Sequence, residues 1–283
     1  MRGYGWAGLS VIGAAEVLLF AGEPTVARWF TPIVWTGYVL FVDALSARFS
    51  GRSYLTTDRL DGLLVALASV GCWWLFELYN APRFWRGGAD AEGIWWRYHG
   101  LEPNLFLRRV GYDWAFATIF PAMFLTAAVL RATIFQRARV RPRRLSPRVL
   151  SVMLKAGAVG AVLPLLVVST WLVPLVWIAW VLMLEPLNYR RGRPSWLADL
   201  AVGDASRLFG LLASGALCGL LWELWNYWAA ARWTYAVPYL GEVKIFEMPV
   251  LGYLGFPPFA LEAYAMYHWL RGRLDRESPS PVL

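Results

Sequence analysis

Long apolar stretches with few charges follow one another along the chain, and they limit its fold more than any other feature. A helix of about 20 such residues is long enough to cross the ~30 Å hydrocarbon core of a bilayer. We identify eight candidate spans of this kind. They cover residues 5–22, 29–46, 60–80, 111–130, 149–169, 171–188, 207–228 and 250–270. The sequence therefore predicts an all-α integral membrane protein with about eight transmembrane helices.

The composition favours the same class of protein. Hydrophobic residues make up 58% of the chain and charged residues 16%, whereas soluble domains have roughly 45–50% and about 25%. The first apolar stretch contains Glu16 and is not followed by a small-x-small cleavage site, so we interpret it as the first span and not as a signal peptide. Cys72 and Cys218 fall within predicted spans, where a disulfide is not expected.

Most of the positive charge lies in alternate loops, although the loop at 81–110 also contains arginines. The arginine clusters follow the second, fourth, sixth and eighth predicted spans, so they share one side of the membrane with the N-terminus. By the positive-inside bias that side is the cytoplasm. The clusters are Arg48, Arg52 and Arg59; Arg131, Arg137, Arg139, Arg141, Arg143, Arg144 and Arg148; Arg190, Arg191 and Arg193; Arg271, Arg273 and Arg276. We expect a multi-pass protein of the cell membrane with both termini in the cytoplasm. The net charge of +8 then needs no nucleic-acid partner.

The sequence also contains an internal repeat. Moving residues 31–45 by 142 positions aligns them with residues 173–187, with proline, valine, tryptophan and leucine at the same places. Each copy holds an even number of predicted spans, so the copies are expected to point the same way, as parallel repeats about an axis along the membrane normal. The predicted domains are a first four-helix repeat at 1–130, an Arg/Pro-rich cytoplasmic linker at 131–148, a second four-helix repeat at 149–270 and a cytoplasmic tail at 271–283.

Two predicted spans contain a glutamate with an asparagine three residues further on. The pairs are Glu77 with Asn80 and Glu223 with Asn226, which superpose when the chain is moved by 146 positions. Residues at i and i+3 share a helix face, and a charged side chain inside the membrane normally faces the bundle interior. The pairs are therefore candidates for one shared cavity, with catalytic glutamates and substrate-binding asparagines. The alternative is that they join helices through buried hydrogen bonds.

Asp43 and Glu185 are the acids that the repeat superposes near the cytoplasmic ends of the second and sixth spans. Basic loops follow both spans, so we expect these carboxylates to pair with nearby arginines at the interface.

Glu262 is the acid in the eighth predicted span, and it has no counterpart in the first copy, where Pro121 stands. The preceding Pro257 and Pro258 lack backbone donors and are expected to disturb the helix. Backbone carbonyls freed in this way are tolerated in a membrane only against protein or a wet cavity. We therefore add Glu262 to the candidate catalytic acids.

Tryptophans at i, i+3 and i+6 form a stripe beside Glu223. They are Trp222, Trp225 and Trp228, and some of the other 15 of the 18 tryptophans are expected in interfacial belts. Aromatic faces can stabilise a cation in an apolar pocket. We name Trp222 and Trp225 as candidate substrate contacts, with ordinary helix packing as the alternative.

The residues needed for other kinds of chemistry are missing from the sequence. His99 and His268 are too few for a histidine-rich metal centre, and there is no Gly-rich phosphate loop. There is also no Asp-rich magnesium motif and no nucleophile with a nearby base. Buried carboxyls can stay protonated and act as proton donors. We therefore expect acid–base chemistry with no cofactor and no metal.

The segment from Trp222 to Tyr267 resembles the membrane repeat of the heterodimer-type and fungal bifunctional lycopene cyclases, which are small and all-helical. That repeat has an acid near a helix end, then W-x-[FY], a proline, a short loop, and a P-[LV]-E-E turn before a helix with F-x-x-x-P-F. The matching positions here are Trp222-Glu223, Trp233, Tyr235, Pro238, Pro249-Val250, Phe256 and Pro258-Phe259. The resemblance implies an isoprenoid, carotenoid-like substrate and cofactor-free isomerase or lyase chemistry. It adds Trp233 and Tyr235 to the candidate substrate contacts. Tyr253, which the internal repeat aligns with Tyr112, is a further candidate contact.

The sequence departs from that family at the residues thought to carry its acid chemistry. The glutamate pair after the turn is replaced by Leu251-Gly252, and each unit has four predicted spans where the family has about three. If the chemistry is retained, Glu223, Glu247 or Glu262 has to take the place of the missing pair. Glu247 is the nearest in sequence, and its alternative role is that of an exposed loop carboxylate.

Three functions remain open from the sequence. The first is an enzyme that cyclises, isomerises or hydrates an apolar isoprenoid or other lipid in a cavity between the repeats. The second is a proton-coupled transporter, because parallel repeats with acids near the midplane are common in that class. The third is a membrane scaffold whose acids only hold helices together. The sequence does not determine the oligomeric state.

Overall fold

Apolar helices make up most of the protein. The computed structural model describes residues 2–81 and 93–274, and these contain ten α-helices. They are α1 (Gly3–Phe20), α2 (Pro24–Phe49), α3 (Arg59–Asn80), α4 (Leu105–Thr133), α5 (Pro147–Leu166), α6 (Val173–Val176), α7 (Ala179–Arg190), α8 (Trp196–Ala201), α9 (Ser206–Trp228) and α10 (Phe256–Leu274).

Seven helical segments within the described residues are long and apolar enough to cross a membrane, by length and composition. They are α1, α2, α3, α4, α5, the segment Thr170–Arg190 and α9. This is compatible with an all-α membrane protein. Helix α10 has 19 residues but is not among the seven, so the eighth span stays a prediction.

The helices of each half pack in a corresponding order. In the first half α2 lies between α1 and α4, and α4 also packs on α3. In the second half α7 lies between α5 and α10, and α10 also packs on α9. The halves meet where α4 packs on α9 and α10 packs on α3. The buried core lies at this junction and includes Phe120, Phe124, Leu211 and Tyr264.

Glycines allow two of these helix pairs to approach closely. A Cβ on Gly8 of α1 would lie 2.5 Å from the carbonyl oxygen of Gly37 on α2. A Cβ on Gly157 of α5 would lie 2.3 Å from the backbone nitrogen of Met183 on α7. Both distances are too short for a side chain, so the packing of α1 on α2 and of α5 on α7 depends on these glycines.

The sixth and eighth predicted spans differ in detail from single helices. The sixth is broken between α6 and α7 at Trp177 and Ile178. In the eighth, residues Val250–Gly255 form a 3₁₀ helix and α10 begins at Phe256. Pro257 and Pro258 therefore lie in the first turn, where a missing N–H costs nothing. The predicted span is thus interrupted directly before the two prolines, where a 3₁₀ helix gives way to α10.

The described residues also contain four short strands. Strand β1 (Trp96–His99) pairs antiparallel with β2 (Arg232–Tyr235), so that Trp96 faces Tyr235 and Tyr98 faces Trp233. Strands β3 (Lys244–Ile245) and β4 (Met248–Pro249) form a second pair. Gly100 ends the β1 segment with φ of 63°, and a Cβ there would lie 2.1 Å from the oxygen of Ala230. Only glycine fits this position.

The acids Asp43 and Glu185 are fully buried, and serine hydroxyls and backbone amides hold them. Asp43 accepts hydrogen bonds from Ser53 Oγ (2.6 Å), Tyr54 N (2.7 Å) and Tyr4 Oη (2.8 Å). Glu185 accepts hydrogen bonds from Ser195 Oγ (2.6 Å) and Leu197 N (3.0 Å). The expectation of direct arginine partners for these two carboxylates was therefore wrong. Each acid instead fixes the loop that follows its helix.

The arginine-rich linker at 131–148 contacts the loop before α9. Val140 N donates to Gly203 O (3.0 Å), Arg143 N donates to Leu200 O (2.9 Å), and Arg139 forms an ion pair with Asp204 (2.9 Å). The predicted tail at 271–283 is described only as far as residue 274, so the rest of that prediction lies outside the described residues.

Candidate functional site

A cavity of about 410 Å³ lies beside the β1–β2 strand pair, and both halves of the chain contribute to its wall. The first half supplies residues of α2, α3 and α4, and the second half supplies residues of α6, α9 and α10. Small-molecule sites in proteins have volumes of roughly 300–1,000 Å³ and mostly apolar walls. The size and position of this cavity make it the candidate site.

Aromatic rings pack against one another along part of the cavity wall. Trp222 packs against Trp35, Trp73 and Trp233, with ring centroids 5.3–5.8 Å apart. Phe259 packs against Trp73 and Trp177 at 5.9 and 5.1 Å. All of these rings line the cavity. The wall therefore suits an apolar molecule, and its ring faces can stabilise positive charge.

Glu77 lies behind the cavity wall on α3. Its Oε1 accepts a hydrogen bond from Tyr98 Oη at 2.5 Å and one from Trp96 Nε1 at 3.1 Å. Tyr98 and Trp96 both line the cavity, whereas Glu77 does not. The carboxyl group is thus one hydrogen bond removed from the space that a ligand would fill.

Glu223 has a corresponding position on α9 and is fully buried. Its Oε1 accepts a hydrogen bond from Tyr235 Oη at 2.7 Å, and Trp233 Nε1 donates to that tyrosine oxygen at 2.8 Å. Its Oε2 has no hydrogen-bond partner within the described residues. Tyr235 and Trp233 line the cavity and separate Glu223 from it.

The asparagines of the two Glu–Asn faces hold the strands in place and do not line the cavity. Asn80 accepts hydrogen bonds from Trp95 N and Trp96 N and donates one to Trp96 O. Asn226 accepts a hydrogen bond from Trp233 N at 2.9 Å and donates one to Trp233 O at 2.8 Å. Each asparagine thereby fixes the strand whose tyrosine reaches the glutamate on its own helix.

The two tyrosine hydroxyls remain protonated at physiological pH. Burial raises the pKa of Tyr98 well above its ordinary value, and the neighbouring Glu77 carboxyl adds to this effect. Burial and Glu223 raise the pKa of Tyr235 in the same way. A group with a raised pKa holds its proton more tightly. In the structure each hydroxyl donates its one proton to its glutamate. It can turn that proton towards the cavity when the carboxyl is protonated and donates to the tyrosine oxygen instead.

Glu262 is fully buried and lies away from the cavity wall. Its Oε1 accepts a hydrogen bond from Trp180 N at 3.1 Å, near the start of α7. The break between α6 and α7 frees backbone N–H groups at this point, and a carboxyl oxygen is a suitable acceptor for one of them. The structure does not bring Glu262 together with Glu77 and Glu223 at one surface.

The remaining sequence candidates lie outside the cavity wall. Glu247 is 3.6 Å from Arg232 in an ion pair, and Tyr253 donates to Ile245 O at 3.0 Å. Trp225 packs on Trp35 and donates from its indole nitrogen to Glu16 at 3.1 Å. Trp222 is thus the member of the tryptophan stripe that lines the cavity.

Sequence reasoning missed much of the first half of the wall. Trp35 and Trp73 were not candidates, although Trp35 lies within the repeated segment and aligns with Trp177. The segment Trp96-Arg-Tyr98 is similar to Trp233-Thr-Tyr235, but neither Trp96 nor Tyr98 was among the candidates. Transferring each candidate of the second copy to the first would have identified Trp96 and Tyr98.

The fold and the cavity define the class of protein. It is a mostly helical protein with helices long and apolar enough to cross a membrane, and it has an internal cavity lined in part by aromatic rings. Comparison of the chain with models of protein families, with curated proteins and with solved structures finds no match in any of the three. Within the described residues no cluster of three or more His, Cys, Asp and Glu side chains is arranged to hold a metal ion.

Proposed function

We propose that the protein is a membrane enzyme that binds an apolar isoprenoid or related lipid in the aromatic cavity and acts on it by acid–base chemistry. The observation that carries this proposal is the pairing of two cavity-lining tyrosines with carboxyl groups behind them, Tyr98 with Glu77 and Tyr235 with Glu223. The resemblance of the Trp222–Tyr267 segment to lycopene cyclases supports the substrate class.

The proposed mechanism uses one tyrosine–glutamate pair as a proton donor and the other as an acceptor. A protonated Glu223 gives its proton to Tyr235 Oη while the Tyr235 hydroxyl proton passes to an alkene carbon of the ligand. The aromatic wall stabilises the resulting carbocation. Loss of a proton from an adjacent carbon, through Tyr98 to an ionised Glu77, restores a double bond. One proton enters the ligand and one leaves it, so Glu223 ends ionised and Glu77 ends protonated, and exchange of these protons with water restores the starting state. Isomerisation and cyclisation follow the same steps.

The finer architecture belongs to the same proposal. We infer two parallel four-helix units and a cytoplasmic N-terminus, which places the cavity near the outer face of the cell membrane. The matching contacts of Glu77 and Glu223, of Asn80 and Asn226, and of the buried acids with Ser53 and Ser195 support a duplicated chain. The apolar helices support membrane insertion.

The test is expression in polyene-producing cells followed by chromatographic analysis of lipids and pigments. We expect products with the wild-type chain that are absent with Glu223→Gln and with Tyr235→Phe. Tyr227→Phe is the matched control, because that ring is partly exposed on the same helix and contacts Trp228 and Phe246 outside the cavity wall. Identical profiles for wild type, both variants and an empty vector would contradict the proposal.

Proton flux distinguishes the enzyme from the proton-coupled transporter. An enzyme with this site should give no lipid-dependent proton movement in proteoliposomes, whereas a carrier should give movement that Glu223→Gln abolishes. A scaffold would show neither products nor flux, and glutamine substitutions would change only its stability.

A further inference from the structure

One face of α2 presents hydrogen-bond donors to the cavity. Thr31 and Trp35 lie at i and i+4 on one helix face, Arg28 lies just before the kink of α2 at Trp29, and all three line the cavity. The Thr31 hydroxyl and the Trp35 indole nitrogen are buried and have no hydrogen-bond partner within the described residues. Trp35 is only 2% exposed. Such groups cost free energy unless a ligand or water pairs with them.

Two further donors lie around this face. The indole nitrogen of Trp73 on α3 is buried, makes no hydrogen bond of ordinary geometry in the described part of the chain and lies beside Glu77 and Tyr98, and Trp73 lines the cavity. Arg108 at the start of α4 also lines the cavity. Its Nε donates to Glu102 O at 2.7 Å, and its two terminal nitrogens make no hydrogen bond within the described residues.

The charged residues of the wall are confined to this side. They are Arg28, Arg108 and Glu102, and Arg28 Nη1 lies 3.0 Å from Glu102 Oε2. A hydrogen bond from the backbone N–H of Asn104 lowers the pKa of Glu102, with Arg28 contributing, so this acid stays ionised. The two arginines carry a charge of +2 and Glu102 carries −1, so the net charge of this side of the wall is +1. The wall formed by Val237, Leu251 and Leu254 of the second half has no charged group.

An indole N–H and a guanidinium group donate hydrogen bonds and accept none. The matching ligand group accepts hydrogen bonds and carries negative charge, as a phosphate or carboxylate does. We propose that the cavity binds an amphiphile with an anionic head at Arg28, Arg108, Thr31 and Trp35, and an apolar chain against the aromatic wall. This inference rests on the proposed lipid site and names the class of its ligand.

The test measures displacement of retinol, an isoprenoid polyene that quenches tryptophan emission, from purified protein in phosphatidylcholine nanodiscs. The competitors are farnesyl phosphate, farnesol and inorganic phosphate. We expect farnesyl phosphate to displace retinol at a concentration about tenfold lower than farnesol, because charge-assisted hydrogen bonds are the stronger ones. Inorganic phosphate alone should displace little, because it lacks the chain.

Variants locate the head group. Arg108→Gln and the isosteric Thr31→Val should each reduce the preference for farnesyl phosphate and leave displacement by farnesol unchanged. Arg109→Gln is the matched control, since Arg109 pairs with Asp113 at 3.0 Å and stacks on Trp74 outside the cavity wall. Valine has nearly the same shape as threonine, so Thr31→Val is expected to fold. The head-group test therefore still stands if Arg108→Gln fails to fold.

The outcomes separate this inference from the proposed function. Equal displacement by farnesol and farnesyl phosphate, or an unchanged preference in both Arg108→Gln and Thr31→Val, would overturn the anionic head while leaving a lipid site in place. Absence of saturable retinol quenching would overturn the lipid site itself. If added phosphatidylglycerol competes with farnesyl phosphate in the wild type and not in Arg108→Gln, the head group is that of a bilayer phospholipid and the site stands.

Discussion

At the scale of single residues, the two asparagines hold the strands of the site in place and the two glutamates are the acids of the proposed chemistry. An asparagine side chain both donates and accepts, and Asn80 and Asn226 use both capacities on the backbone of a neighbouring strand. This explains the Glu-x-x-Asn spacing physically. The asparagine fixes the strand whose tyrosine then reaches the glutamate one helical turn away.

Replacing Asn226 by aspartate should therefore destabilise the protein. The shape is kept, but the donor to Trp233 O is lost and a charge is buried, which costs about 3 kcal/mol. Thermal unfolding in detergent measures the loss. Asn104→Asp is the control, because Asn104 caps α4 at an exposed position, where aspartate and asparagine are about equally favourable. Equal unfolding temperatures for Asn226→Asp and wild type would contradict this account.

Glu262 provides a second test at the residue scale. If it serves only as an acceptor for Trp180 N, Glu262→Gln should keep both stability and lipid products, because Oε1 is retained. Glu262→Leu should lower the free energy of unfolding by about 1–3 kcal/mol, since it leaves a buried N–H unpaired. Unfolding and product analysis of the same preparations decide between the roles. Loss of products in a stable Glu262→Gln protein would instead make Glu262 a catalytic acid, as the sequence suggested.

At the scale of elements, close helix contacts rather than apolar area alone set the fold. Gly8 on α1 lies against Gly37 on α2, and an added methyl group would meet backbone atoms at 2.5–2.7 Å. Backbone atoms cannot rotate away as side chains do. The helices would have to separate, and the contacts on either side of the crossing would loosen.

Gly8→Ala should therefore destabilise the protein by about 1–3 kcal/mol, the usual cost of overpacking. Gly13→Ala in the same helix is the matched control, since nothing lies within 4 Å of its added methyl group. That change should be neutral, or stabilising by up to about 1 kcal/mol. The measurement is the unfolding temperature of both variants under the same detergent conditions. The reverse order of stability would show that α1 and α2 are not held by this crossing.

Helices could be predicted from the sequence because apolar runs are a local signal. The observed ends of a helix differ from the predicted ends where the capping residue lies outside the apolar run. The helix that contains the second span begins at Pro24, where Glu23 accepts a hydrogen bond from Val26 N, and it is kinked at Trp29, where the predicted span begins. The break near Trp177 was missed because Pro174 is equally compatible with the first turn of an unbroken helix.

The strands and the cavity could not be predicted in this way. Strands β1 and β2 have four residues each, and their pairing joins segments that are far apart in the chain. No local periodicity reveals such a pairing. The glutamates were found because a charge in an apolar run is conspicuous. Their separation from the cavity by Tyr98 and Tyr235 depends on the strand register, which the sequence does not reveal.

At the scale of the whole molecule, the proposed orientation places the linker in the cytoplasm and the β1–β2 end outside. Cysteines introduced at Pro103 and Arg144, both exposed, test it with a membrane-impermeant maleimide on intact cells. We expect Pro103→Cys to react at once and Arg144→Cys only after permeabilisation. The native Cys72 and Cys218 are buried and should not react with the maleimide. The opposite labelling pattern would invert the topology.

The central claim is that the aromatic cavity between the two halves binds an apolar lipid, and retinol quenching of tryptophan emission tests it most directly. Ala115 lines the cavity, whereas Ala117 on the same helix does not. We expect saturable quenching in the wild type and in Ala117→Phe, and an affinity at least about tenfold weaker in Ala115→Phe, because the added ring fills ligand space. Equal quenching curves for all three proteins would show that the lipid binds elsewhere and would contradict the account.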